Sequence, residues 1–422
     1  MIAAPIISPF AAADVSVQMS LGGREVIQQW FADWQALCDE TRCPPFYRPE
    51  WIATYLSVFD SNSAIAIFTA QAYGKLIALL PMVRKSAWYA GVPVAELCGA
   101  ANVHSVRFDM VRSACPAGEA AASAIWNFIR DNSDWDIIRL PMLAESSGCA
   151  NLLQFAQNDG YRTLRFLVQD SPVLYMTRNA DGKLTWMGGT NRHFRHELRR
   201  FARLLEETAG GQPELLRFNH PEPAVMKQFY ELEAAGWKGD KGSAINCDPA
   251  TQAFYDQIAQ QASQRGYFCL HTLDVNGEMA AGAFSVFNGD SFYPMKIAHR
   301  ESWRRGAPGQ LLFNGILEQC AAANIKEFFF GGSKDRYKTS WTENSIPHYN
   351  GVIFAPTFRG KLAFHLRTQL LSRLGQLRRD FRTWRDSREK NSAKNSKPVA
   401  PVATEAAANT NGNQKIQGEA KS

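Results

Sequence analysis

Residues Phe268–Phe287, FCLHTLDVNGEMAAGAFSVF, decide the fold. Two apolar runs, Phe268–Val275 and Met279–Phe287, flank Asn276-Gly277. That dipeptide suits a two-residue hairpin turn, whose central positions both need positive φ. A hairpin of the same kind lies upstream, where Ala64–Ala70 and Leu76–Val83 flank Gly74-Lys75. Gly74 and Gly277 stand 203 positions apart, and at that offset Trp51 falls on Phe254. The same order of elements follows each hairpin. A strand comes first (Val94–Cys98, Ser291–Ala298), then a helix (Ala117–Arg130, Pro308–Ala323). An apolar strand closes each set (Asp136–Leu140, Glu327–Phe330). Self-similarity at a long fixed offset reads as a duplicated domain.

A chain of 422 residues, 45% of them hydrophobic, has the length for two domains and the apolar content for their cores. Residues 1–356 carry 32 Lys+Arg against 35 Asp+Glu, while residues 357–422 carry 14 against 5. A mildly acidic body thus precedes a basic tail, which either solubilises the chain or meets an anionic surface. The eight cysteines form no CxxC pair and several sit in apolar runs, as expected for buried thiols in a reducing compartment. Met1–Gly23 holds no Lys or Arg, unlike the start of a secretory signal, and no apolar run is long enough to span a bilayer. Walker A, GxSxG and GxGxxG motifs are absent. His193, His196, His299 and Glu301 lack metal-site spacing, so no metal is expected.

Met1 to about Leu21 reads as loosely ordered, and residues 1–23 as a flexible N-terminus. Arg24–Asp39 and the segment opened by Pro49 read as helices. The first repeat spans 24–170, and Asp170-Ser171-Pro172 reads as its link to the second, 171–356. The second holds an added helix, Asn191–Glu207, with Phe194, Leu198, Phe201 and Leu205 on one face. Arg192, Arg195, Arg199 and Arg203 form another face, ordinarily solvated but also suited to a phosphate or lipid head. Residues 357–390 read as a basic amphipathic helix. Within it, Lys361–Arg388 fits an anionic membrane surface as well as it fits packing on its own domain. Residues 391–422 read as disordered.

Four segments carry polar chemistry. Arg304-Arg305-Gly306-Ala307-Pro308-Gly309-Gln310-Leu311 opens a helix with two glycines, where N–H groups and the helix dipole suit an anion. Phe328–Trp341 runs from a very apolar strand through Gly331-Gly332 into a polar cluster beyond a strand's carboxyl end. There a phenol such as Tyr337 can protonate a leaving thiolate, and Asp335 can accept a proton. Gly236-Trp237-Lys238-Gly239 reads as a ligand-facing loop or a plain turn. Asn102–Asp109 contains His104, which among loops is more often only hydrogen-bonded.

These residues together resemble the GNAT acyltransferase superfamily, in the branch named after the cellulose-biosynthesis protein CelD. That branch is related to the Fem-type peptidyl transferases, which also carry two GNAT-like domains. The resemblance runs from about Phe46 to Phe354. It rests on Gly236-Trp237-Lys238-Gly239, Leu273–Ala281, Ala307–Leu312, Tyr337-Lys338 and Trp341 in that order. It implies an α/β (α+β) fold of two tandem GNAT-like domains, each a mixed, mostly antiparallel sheet with flanking helices. It implies transfer of an acyl group from acetyl-CoA or another acyl-CoA to an amine or hydroxyl on a small-molecule, sugar or lipid-linked acceptor. The setting implied is polysaccharide or cell-envelope synthesis, in the cytoplasm or on the inner face of the membrane. By this resemblance Arg305, Gly306, Gly309, Gln310 and Leu311 hold the cofactor. Asp335, Tyr337 and Glu301 are catalytic, and Trp237, Lys238, Lys338 and Trp341 meet the substrate. The superfamily's phosphate turn reads Gln/Arg-x-x-Gly-x-Gly/Ala. Aligned on Gly309, this chain has Gly306 first and Leu311 last. That departure leaves open an aminoacyl-tRNA donor, as in Fem-type enzymes, or a non-catalytic assembly factor for a polysaccharide synthase. Nucleic acid other than tRNA is not expected as a partner.

Overall fold

A computed structural model describes residues 15–132, 134–186 and 192–369. The chain divides into two compact units, Met1–His365 and Leu366–Ser422. In the first unit the elements begin with β1 (Ser16–Gly22), α1 (Glu25–Thr41), α2 (Pro49–Phe59), β2 (Ala64–Ala72), β3 (Lys75–Tyr89) and β4 (Val92–Gly99). Then come β5 (Val111–Arg112), α3 (Pro116–Asn132), β6 (Ile137–Ala144), α4 (Gly148–Asn158) and β7 (Arg162–Tyr175). A small hairpin follows, β8 (Thr177–Arg178) and β9 (Leu184–Thr185), then α5 (Arg192–Ala209) and β10 (Glu214–Phe218). Next are α6 (Pro223–Ala234), α7 (Trp237–Asp240), α8 (Pro249–Gln264), β11 (Phe268–Val275), β12 (Glu278–Phe287) and β13 (Ser291–His299). The last are α9 (Pro308–Ala322), β14 (Glu327–Phe329), α10 (Arg336–Thr339) and β15 (Ser345–Phe354).

Both repeats build one mixed sheet, ordered β1-β2-β3-β4-β6-β15-β7-β14-β13-β12-β11-β10, with β5 added on β3. The centre of that order is an exchange. The second repeat's last strand, β15, pairs with β6 of the first, and β7 of the first repeat pairs with β14 of the second. β15 and β7 also pair with each other from Ser345↔Pro172 to Phe354↔Arg162. Asp170-Ser171-Pro172 is therefore the middle of a long strand rather than a linker. The N-terminal expectation also changes. Ser16–Gly22 is ordered because it pairs with β2 along its whole length, from Ser16↔Gln71 to Gly22↔Ile65.

Helices cover both faces of the sheet, so its strands read as nearly continuous apolar runs rather than alternating ones. Alternate residues still divide between the faces. Ile65 and Ile67 join a core shared by both repeats, built on Trp34 and Trp51 from α1 and α2 and on Phe254 and Ile258 from α8. Ala66, Phe68 and Ala70 join the core under α3 and α4. Cys269, Ala281 and Ala283 join the core under α5 and α9. Trp51 and Phe254, matched by the 203-residue offset, meet edge to face with centroids 5.4 Å apart. A position touching its own copy is what a two-fold arrangement of repeats produces.

The first unit's last described residues, 358–365, are helical, as are residues 366–369 of the second unit. The rest of the basic 357–390 segment and residues 391–422 lie outside the described residues. No helix among the described residues is long and apolar enough to cross a membrane.

Two core histidines set an acid limit on stability. His271 and His348 are almost fully buried. Burial pushes each imidazole down to about 4 from its ordinary 6.5. Between those values the unfolded chain binds more protons, so stability falls as the pH falls. Each should cost about 1.4 kcal/mol per pH unit across that window. The urea midpoint should therefore be lower at about pH 5 than at about pH 7, and equal midpoints would contradict the neutral, buried imidazoles.

Candidate functional site

Among the described residues the only parallel pairs in the large sheet are β4 with β6 and β13 with β14. The second of these is brief, holding at Ser291↔Glu327 and Phe292↔Phe328 only. Beyond Phe292 the two strands part. A cleft of about 990 Å³ opens there, lined by β13, the start of α9, the Phe330–Gly332 turn and α10. The first repeat closes its far side with the loop around Asn102–Val106 and the end of β6. β13 also carries an irregularity at this point. Phe284 pairs with Lys296 and Ser285 with Pro294, which leaves Met295 without a partner across the ladder. A residue bulged in this way is freed from the ladder and turned toward the opening.

Pro308 occupies the first turn of α9, where its fixed φ is preset and its missing N–H costs nothing. The preceding Ala307 is left-handed at φ 43°, an uncommon setting for a residue with a side chain. Gln310 and Leu311 both donate their N–H groups back to Ala307 O, at 2.9 and 3.2 Å. Gly309 N–H has no acceptor among the described residues. A Cβ at Gly309 would meet only His299 Nδ1, at 3.9 Å, so the glycine leaves open space beside the helix start.

Against α9 stands α10, held by a chain of tethers. Gly331 and Gly332 both take positive φ, 65° and 59°, which turns the chain sharply out of β14. Lys338 is buried and donates to Gly331 O at 2.8 Å and Ser333 O at 3.1 Å. It pairs with Asp335 Oδ2 at 3.0 Å, which occupies its third donor. Lys334 ties the same loop to Asp170 on β7 at 2.6 Å. Gln310 clamps the far side. Its Nε2 donates to Tyr337 O at 3.3 Å, and its Oε1 accepts from Trp341 Nε1 at 2.5 Å. The Tyr337 ring lies parallel to Phe313, centroids 6.4 Å apart, and the residue is 41% exposed. Burial, reinforced by Asp335, pushes its phenol up to about 12, so it holds its proton across the neutral range.

The sequence-based assignments divide on this geometry. Asp335, Tyr337, Gly309, Gln310, Lys238 and Lys338 line the cleft. Arg305, Leu311, Glu301 and Trp341 do not. Arg304 stands at the cleft in place of Arg305. Gly306 is buried because a Cβ there would lie 2.7 Å from Leu205 Cα, so it serves close packing on α5. Glu301 turns aside to His299 Nε2 at 3.5 Å and Arg304 Nη1 at 3.3 Å. Trp341 is fully buried, with Phe194 edge-on at 4.8 Å, and supports Gln310 from behind. The segment at Trp237 is a short helix, α7, rather than a loop. The cores explain α5 as well. Phe194, Leu198 and Leu205 bury one face of this helix, so it is a packed element of the second repeat.

A buried charge cluster was not foreseen. Glu233, 2% exposed on α6, accepts from Lys238 Nζ and from Ile245 N–H, both at 2.8 Å. Lys238 Nζ also donates to Ile297 O on β13 at 2.8 Å. Lys296 approaches the same Glu233 oxygen at 3.9 Å. From the first repeat, His104 Nδ1 meets the Tyr255 hydroxyl at 3.2 Å. Burial, with Lys296 nearby, pushes the His104 imidazole down to about 4. Its neighbour Asp109 is structural, accepting the Gly148 and Cys149 N–H groups at 3.0 and 2.8 Å to cap α4. No group of His, Cys, Asp and Glu among the described residues has the arrangement of a metal site.

Residues 192–339 match the family profile described as an acetyltransferase (GNAT) domain. No curated protein sequence matches the chain. Among solved structures, FemX is 10% identical with a TM-score of 0.53, over 80% of this chain and 97% of FemX. A C-terminal DUF2156 domain from Agrobacterium fabrum is 12% identical with a TM-score of 0.48, over 82% of this chain and 97% of that one. A tandem GNAT protein from the clavulanic acid biosynthesis pathway is 13% identical with a TM-score of 0.42, over 81% and 100%. The FemX likeness, at this identity, is one of fold. The chain thus has a GNAT-type mixed α/β fold, with its sequence match confined to the second repeat.

Proposed function

We propose that this chain is an acyltransferase that moves an acyl group, acetyl first among candidates, from acyl-CoA to an amine or hydroxyl acceptor. The observation that carries the reading is the cleft where β13 and β14 part, lined by the start of α9 and by Tyr337. The donor's pyrophosphate would lie at α9, against Gly309 N–H, the helix dipole and Arg304. Its thioester arm would run along the freed edge of β13. There the Met295 N–H would polarise the thioester carbonyl. The acceptor's nitrogen or oxygen attacks the carbonyl carbon and the carbon–sulfur bond breaks. The acceptor's proton passes to Asp335, and the departing sulfur takes the Tyr337 proton. Free CoA and the acylated acceptor result. Among the described residues Cys98 is the one thiol lining the cleft, and burial pushes it up to about 11, which argues for direct transfer rather than a cysteine-bound intermediate. Lys238 and Lys338 would then shape the cleft walls rather than grip the acceptor.

One observation favours a second donor. Among the described residues only the Gly309 N–H at the start of α9 lacks an acceptor, because Gln310 and Leu311 are already turned to Ala307 O. An aminoacyl-tRNA donor would ask less of that turn. The two donors separate in one assay with a mixture of amine acceptors. Label from acetyl-CoA should appear in product and resist RNase. Transfer that requires charged tRNA and disappears with RNase would move the assignment to the second donor.

A sugar or lipid-linked acceptor of envelope or polysaccharide synthesis would bring the chain to the inner face of a membrane. Phe358 and Leu362, four positions apart on the helix that ends the first unit, are exposed. Leu362 begins the apolar stripe of the basic 361–388 segment, and Phe358 stands one turn before it. The full chain should float with anionic liposomes and a chain ending at 360 should not. Equal partition of the two removes the membrane role.

A further inference from the structure

Resting on the transferase reading above, we infer that the acceptor carries an anionic oxyacid group, a carboxylate or a phosphate, seated on Lys296 at the junction of the two repeats. The argument begins with charge. Arg139, Lys238, Lys296, Arg304 and Lys338 all line the cleft, and Asp335 is the sole lining carboxylate among the described residues. Four of these cations have a carboxylate of their own: Glu96 for Arg139, Glu233 for Lys238, Glu301 for Arg304 and Asp335 for Lys338. Lys296 does not. It shares Glu233 at 3.9 Å with Lys238, which takes the closer contact at 2.8 Å. One buried carboxylate facing two ammonium groups leaves a positive charge in excess. Lys296 Nζ makes no hydrogen bond among the described residues and rests over the Tyr255 ring at 5.4 Å.

Burial, opposed by Glu233 and reinforced by Lys238, holds the Lys296 ammonium below its ordinary range. A bound anion would reverse that cost by supplying the missing counter-charge. A second donor faces the same space. Tyr255 keeps its phenol proton, because burial pushes its ionisation well up. When it donates that proton to His104 Nδ1, the Nε2 of the ring carries the N–H that can reach an anion. Position limits the ligand further. Lys296 adjoins Met295, the bulged residue at the proposed acyl carbon, and a strand rises roughly 3.3 Å per residue. The acceptor's nucleophile and its anionic group would therefore share this one cleft. A hydroxy or amino acid fits, as does a sugar phosphate, and a neutral glycan does not.

The test uses the full chain, with sodium acetate and sodium phosphate as probes in calorimetric titration. The variants are Lys296→Met, Lys296→Arg and Gly309→Glu, the last removing phosphate binding at the start of α9. One or both probes should bind wild-type protein and the Gly309→Glu variant. Binding should fall about tenfold or more in Lys296→Met and be kept in Lys296→Arg. The stronger probe identifies the oxyacid. Equal probe binding in Lys296→Met and wild type overturns the inference, as does no binding of either probe to wild type. If Lys296→Met does not fold, Lys296→Gln takes its place with the same two outcomes. Acetyl-CoA is titrated into the same proteins. Loss of acetyl-CoA binding from wild type with a Lys296-dependent probe signal removes the donor reading and keeps the anion subsite. Intact acetyl-CoA binding with no Lys296 effect does the reverse.

Discussion

Replacing Glu233 with alanine is expected to lower stability by about 3–5 kcal/mol, the usual cost of leaving a buried ion pair with one partner. Glu233 has a fully buried carboxylate that answers Lys238 Nζ, Ile245 N–H and, more distantly, Lys296. Alanine would strand one buried amide and leave two largely buried ammonium groups without their carboxylate. Against a typical reserve of about 5–15 kcal/mol, that loss is a large fraction of the whole. Urea denaturation reads it as a shift in midpoint. Pairing the change with Lys238→Met should recover part of the loss, because removing both charges is cheaper than removing one. An unchanged midpoint for Glu233→Ala would mean that the cluster does not hold α6 to β13.

Tyr337→Phe is expected to cut turnover by about a hundredfold or more, the ordinary share of a general acid. The substitution keeps the ring, so the parallel contact with Phe313 and the Gln310 bond to the main-chain carbonyl survive. Only the hydroxyl is lost. Acetyl-CoA affinity and urea midpoint should match wild type, which separates lost proton transfer from lost folding. Unchanged turnover in steady-state kinetics would remove Tyr337 from the mechanism.

The hairpins were legible because turn chemistry and apolar runs are local properties. Asn276-Gly277 takes positive φ at both positions as its hairpin turn requires, while the upstream turn is Tyr73-Gly74, one residue earlier than the Gly74-Lys75 expected, with Lys75 already in β3. The parted strands and α9 followed from the order of elements. The exchange of β7 and β15 was not legible. Asp170-Ser171-Pro172 looks like a linker, and only pairing with Ser345–His348 of the other repeat makes it a strand. β1 was missed for the same reason, since Ser16–Gly22 gains its order from β2. In the site, Gly309, Tyr337 and Asp335 could be found because each sits next to a glycine turn or a strand end. Glu233, Lys296 and His104 could not be brought together by spacing, since 129 positions of chain separate His104 from Glu233. The signal available was a charged residue inside an apolar helix face, Leu232-Glu233-Ala234-Ala235. A buried charge of that kind asks for a partner. Trp341 was read as ligand-facing, but its indole is turned inward because Gln310 Oε1 accepts its N–H.

The central claim is that acyl-CoA binds where β13 and β14 part, with its pyrophosphate at the start of α9. Calorimetric titration of acetyl-CoA into the full chain and its Gly309→Glu variant tests it most directly. A Cβ at that position meets only His299 Nδ1 at 3.9 Å, so the variant should fold with an unchanged urea midpoint. Its carboxylate would occupy the anion position at the helix start. The account expects acetyl-CoA to bind wild type and not the variant. Equal binding by both proteins would place the donor elsewhere, and no binding by wild type would contradict an acyl-CoA donor.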